Sequence, residues 1–129
     1  MKRTVILTII LLLLASVCLA SQGMVYTLLS KVTATGAGTA QTLYKPMHLF
    51  NCNVVLDASP NSSAISAYTV NLEGSIDGVT YGTLATDSSP NLTFQAVDKP
   101  VNYIRGNLVS ITSTDASANA TLNCMGIGF

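Results

Sequence analysis

Apolar and polar residues alternate through Tyr68–Ser75, run into the pair Asp77-Gly78, and resume through Tyr81 and Leu84. Tyr68, Val70, Leu72 and Ile76 share one parity and Thr69, Asn71, Glu73 and Ser75 the other, the pattern of a strand with one buried and one wet face. Asp77-Gly78 is the strongest short-range signal for a hairpin with a two-residue type I′ turn. Such a turn sets Ile76 opposite Val79 and Gly74 opposite Tyr81, whose ring then covers the bare glycine.

The same rhythm predicts about eight short strands: 24–33, 41–45, 47–57, 65–76, 79–85, 92–97, 101–112 and 120–129. Their separators, among them Thr35-Gly36-Ala37-Gly38, Ser59-Pro60-Asn61-Ser62 and Asp98-Lys99-Pro100, are residues that turns select. No helical period extends beyond about two turns. The expected fold is all-β, a sandwich or barrel of antiparallel sheets. Two strands break the alternation. In 101–112, Val101, Tyr103, Val109 and Ile111 have one parity and Ile104 and Leu108 the other, which predicts a bulge near Gly106-Asn107 or burial of both faces. In the last strand Leu122 and Cys124 face one way and Met125, Ile127 and Phe129 the other, so this strand is either central in its sheet or covered by another molecule.

The first twenty residues read as a signal peptide. Met1-Lys2-Arg3 is basic, 4–17 is an apolar run, and Cys18-Leu19-Ala20 places small residues where a signal peptidase inspects them. The run falls short of the roughly 20 residues that span a bilayer, so cleavage before Ser21 leaves no stable membrane span and a secreted or cell-envelope product. Cys18 also follows Leu14-Ala15-Ser16-Val17, a lipobox-like run in which Val17 is too bulky. Residues 21–129 then form a single β-sandwich domain. Their charges are Lys31, Lys45, Lys99 and Arg105 against Asp57, Glu73, Asp77, Asp87, Asp98 and Asp115, a net of −2. That surface cannot neutralise several phosphates, which argues against nucleic acid as a partner. Cys52 and Cys124 remain, each at a parity that points it inward, and in an oxidising compartment they are expected to be disulfide-bonded. With His48 the only histidine, their spacing does not resemble a metal site.

The stretch LEGSIDGVTYGTL, followed by KPVNYIRGNL, resembles the S-x-DG and Tyr-x-Arg segments of coagulation-factor type C (discoidin) domains, which are galactose-binding-like jelly rolls. It is equally similar to small phage tail and virion-type β-sandwich proteins with an EGS-x-DG hairpin. The likeness covers residues 68–112, and the remainder only in strand rhythm; it implies an all-β, jelly-roll-like antiparallel β-sandwich of about eight strands. The discoidin resemblance implies a carbohydrate- or other ligand-binding module, with Arg105 and Tyr81 as the positions for ligand contact; the commoner use of such an arginine is a salt bridge.

Catalysis needs a nucleophile with a base, or paired acids, in one pocket. His48 lies in a strand beside Phe50, Glu73 belongs to the wet face of the hairpin, and Asp77 is accounted for by its turn, so no enzyme is expected. No cofactor is expected either; structural calcium near Asp57, Asp77 or Asp98 lacks a dense cluster of oxygen ligands. Sugar faces usually stack on aromatic rings, yet there is no Trp, and Tyr68, Tyr81 and Tyr103 have parities that suggest core, leaving Tyr26 and Tyr44. The favoured reading is a secreted, non-catalytic structural or interaction subunit that associates with itself or with an envelope or surface protein. Met125, Ile127 and Phe129 are its expected assembly strand; the alternative is the ligand-binding module.

Overall fold

The computed structural model describes residues 23–58, 64–89 and 92–128; the leader at 1–20, Cys18 and Phe129 lie outside them. Nine strands follow one another: β1 (Met24–Val32), β2 (Gly36–Ala37), β3 (Gln41–Met47), β4 (Leu49–Asp57), β5 (Ile65–Ser75), β6 (Gly82–Asp87), β7 (Thr93–Ala96), β8 (Val101–Ser113) and β9 (Asn119–Ile127). One sheet runs β1-β9-β4-β7 and the other β2-β8-β5-β6, with β3 also on β8. All pairings are antiparallel. β2 and β3 occupy the same side of β8 as two segments of one interrupted strand. Counted so, the sheets read first-eighth-third-sixth and second-seventh-fourth-fifth, the double Greek key of an eight-stranded jelly roll.

The interruption has a local cause. Gly38 donates its N–H to the Gly106 carbonyl at 2.8 Å, and a Cβ at Gly38 would stand 2.5 Å from the Leu28 carbonyl oxygen. Only a glycine lets the chain pass this close to β1. The core lies between the sheets. Phe50, Val54, Leu122 and Cys124 from the four-stranded sheet meet Val70, Leu72, Ile104 and Leu108 from the five-stranded one, each less than 2 % exposed. Sheet packing of this kind supplies the main stabilisation, on the order of 1.5–3 kcal/mol for each such side chain.

Several expectations need correction. The hairpin does not close in two residues: Gly74 pairs with Gly82 and Glu73 with Thr83, so the connection runs from Ile76 through Tyr81. Of the Asp-Gly pair only Gly78 has positive φ. The Asp77 side chain takes over the turn, with its Oδ1 accepting from Val79 N, Thr80 N and Ser75 Oγ at 2.7–2.9 Å. This Asx-type loop satisfies its own backbone, so Ile76 and Val79 need not pair, and they stand 72 % and 83 % exposed. Tyr81 does not cover Gly74, which packs against Leu84 and Val101 instead. In β8 the extra residue is Val109, not Gly106-Asn107: Thr69 pairs with Ser110 and Val70 with Leu108. That insertion switches the inward parity from Ile104 and Leu108 to Ile111. Gly106 has another role, since a Cβ there would lie 2.7 Å from Leu29 Cγ and 3.0 Å from Leu122 Cδ2.

Candidate functional site

The outer face of the five-stranded sheet carries a polar cluster built by cross-strand register. Glu73 on β5 pairs with Arg105 on β8, and Asn71 with Asn107. Arg105 Nε donates to Glu73 Oε2 at 2.6 Å and Asn107 Nδ2 to Glu73 Oε1 at 2.7 Å. The guanidinium carbon lies 4.0 Å from the centroid of the Tyr81 ring. Glu73, expected to be wet, is thus buried with both carboxylate oxygens engaged by β8 side chains, and the 76–81 connection folds back over the same strand. Gly78 rests on the Tyr103 ring, where a Cβ would come within 3.2 Å, and Asn102 Nδ2 donates to the Ile76 carbonyl. Tyr81 and Tyr103, expected in the core, are half-buried on this face. Arg105 and Tyr81 therefore meet each other, and together they anchor the loop to the sheet.

The hydrogen bonds of the loop shift the ionisation of Asp77. The two backbone N–H bonds from Thr80 and Val79 and the Ser75 hydroxyl lower the Asp77 pKa to about 2. On the core side, Tyr68 donates to Asp87 Oδ2 at 2.6 Å and lies against the Ser89 carbonyl. Burial, together with the Asp87 carboxylate, pushes the Tyr68 phenol far above its ordinary range. This network holds the start of the β6–β7 connection, with Asp87 Oδ1 accepting from Ser89 N and Oγ.

Cys52 and Cys124 face each other directly on β4 and β9 and are disulfide-bonded, closing a separation of 72 residues. The bond lies within one sheet. β9, the strand expected to assemble, is hydrogen-bonded on one side to β1 and on the other to β4. Edge pairing through Met125 and Ile127 is therefore closed, and among the described residues the edges of this sheet fall on β1 and β7. Asp57, Asp77 and Asp98 do not converge, and among the described residues no three His, Cys, Asp or Glu side chains group as a metal site would. His48 lies between β3 and β4, where its carbonyl accepts from Lys99 N.

A feature not anticipated from the sequence lies on the opposite outer face. Asn51, Asn53 and Asn123 flank the two cysteines, so the same parity that turns the sulfurs inward turns three amides outward. They line a shallow groove of about 650 Å³ with Thr93, Gln95 and Met125. The readable signal was Asn-Cys-Asn at 51–53 and Asn-Cys at 123–124.

No protein-family profile matches the chain, and no curated protein matches it. Solved structures do. The SPBc2 prophage-derived protein YomS superposes with a TM-score of 0.58 at 8% identity, covering 84% of this chain and 95% of YomS. The PBSX exported protein XepA superposes with a TM-score of 0.59 at 11% identity, covering 84% of this chain and 39% of XepA. At such identities the likeness is one of fold: the antiparallel β-sandwich of this chain is similar to the folds of YomS and XepA.

Proposed function

We propose that this protein is an exported, non-catalytic structural or interaction subunit of a phage-related kind, associating with itself or with an envelope or surface protein. The observation that carries the reading is the fold likeness to YomS and XepA across 84% of the chain, XepA being described as exported. Supporting it are the leader-like residues 1–20, a disulfide suited to an oxidising compartment, and the Glu73–Arg105 pair, which is used up in holding a loop. Contact surfaces are then the β1 and β7 edges and the 76–81 loop, whose Ile76 and Val79 are exposed on a rigid support. Among the described residues no helix is long and apolar enough to cross a membrane. The test is to express the full chain with its leader in a bacterial host, fractionate the cells, and determine the N-terminus by mass spectrometry. The expected product is found in the envelope or the medium, begins at Ser21, and has no free thiol on Cys52 or Cys124. Cytoplasmic retention with residues 1–20 attached would overturn export.

A further inference from the structure

The outer face of the four-stranded sheet presents two cross-strand rows. Register sets Val25, Met125, Asn51 and Gln95 side by side in one, and Thr27, Asn123, Asn53 and Thr93 in the next. Adjacent strands lie about 4.8 Å apart, so each row crosses about 14 Å of sheet. Every polar side chain in the rows is an uncharged amide or hydroxyl. Two amides are oriented by the protein itself. Asn123 Oδ1 accepts from Thr27 Oγ1 at 2.8 Å, which leaves the Asn123 NH₂ group as a donor. Asn53 Nδ2 donates to the Leu92 carbonyl at 3.2 Å, which leaves Asn53 Oδ1 as an acceptor. Asn53 and Asn123 are direct cross-strand partners, so a fixed donor stands beside a fixed acceptor. Val25 and Met125, 70 % and 36 % exposed, add an apolar end to the first row.

We propose that this groove binds a neutral glycan, a segment of a few sugars lying across the four strands. A hydroxyl donates and accepts at once, which is what the Asn53–Asn123 pair asks of a ligand. Vicinal hydroxyls match planar amides, and the C–H face of a sugar ring suits Met125 and Val25. A carboxylate, sulfate or phosphate would find no cation in the rows to offset its desolvation. Glycan binding here is independent of export and assembly and stands or falls separately.

The test is a titration of the protein with maltohexaose, cellohexaose, xylohexaose and chitohexaose, followed by ¹H–¹⁵N NMR and calorimetry. At least one should bind saturably with a Kd on the order of 10 μM to 1 mM, with shifts in the side-chain amides of Asn53, Asn123 and Gln95. N53A and N123A should each weaken it about tenfold. Because both residues also bond within the sheet, Gln95→Lys at an exposed position provides the second variant; it should weaken binding with no change in melting temperature, whereas Y44A, outside the groove, should bind as the parent does. The proposal is overturned by the absence of saturable shifts with all four sugars, or by shifts confined to Tyr81, Tyr103 and Arg105. It is equally overturned by tighter binding of a sulfated hexasaccharide, or by the same resonances moving on dilution without sugar, which would place a second copy of the chain over the groove.

Discussion

Removing the Arg105 side chain isolates the interaction that holds the 76–81 loop to the sheet. The Glu73 side chain is 10% exposed and that of Arg105 30%, so R105A strands a largely buried carboxylate with Asn107 as its remaining side-chain donor among the described residues. A hydrogen bond to a charged group contributes about 1.5–3 kcal/mol, and breaking a fully buried pair costs about 3–5 kcal/mol. Water reaches the vacated Arg105 position, so the lower range applies. Loss of the Tyr81 stack adds about 0.5–1 kcal/mol. The sum is about 3 kcal/mol, a large share of the roughly 5–15 kcal/mol that a small domain has. In urea, with a slope of about 1.5–2 kcal/mol/M for this size, the midpoint should fall by about 1.5–2 M at unchanged slope. A cycle with Arg105→Met and Glu73→Leu should show coupling of at least about 1 kcal/mol, the double variant being more stable than Arg105→Met alone. A cost for R105A below about 1 kcal/mol, or additivity within about 0.5 kcal/mol, would refute a structural role for this pair.

Three further outcomes follow from the same geometry. Replacing Cys52 and Cys124 together by Ala should lower stability by up to about 4 kcal/mol, the unfolded-state entropy released on opening a loop with a separation of 72 residues, read by denaturant melts of oxidised parent and variant. Gly106→Ala should cost about 1–3 kcal/mol because its Cβ would press on Leu29 and Leu122, whereas Gly82→Ala, with nothing within 4 Å, should stay within about 0.5 kcal/mol. Asp77 should titrate near 2 by carboxyl-carbon NMR. Its folded pKa is depressed, so its contribution is complete above the ordinary carboxylate value and is lost as pH falls toward 2, with the Val79 and Thr80 amides shifting together in that window.

Strand rhythm was the legible part of this chain. Strict alternation in β5 and the inward parity of Cys52 and Cys124 follow from the period-2 geometry of a strand and need no tertiary knowledge. The antiparallel β class was legible, since many short strands with turn-rich separators leave few other architectures, whereas the double Greek key order is set by tertiary pairing that strand rhythm does not encode. What failed was local chemistry that depends on a third partner. Asp-Gly signals a tight turn, yet the Asp77 carboxylate can cap a longer one, and nothing in the linear pattern says which. Glu73 reads as wet by parity and is buried because Arg105 and Asn107, residues far along the chain, close over its carboxylate, with Tyr81 stacked on Arg105. β9 reads as two-faced for the good reason that it is central, but which strands flank it is a property of topology. The amide groove escaped notice because Asn in a strand looks like a polar filler until register sets three of them together.

Whether the sandwich works by association is decided by the solution mass of residues 21–129, measured by size-exclusion chromatography with light scattering across a range of concentrations. Self-association predicts a defined multimer of chains beginning at Ser21, or a multimer that forms on raising the concentration. A strict monomer at every concentration would contradict it.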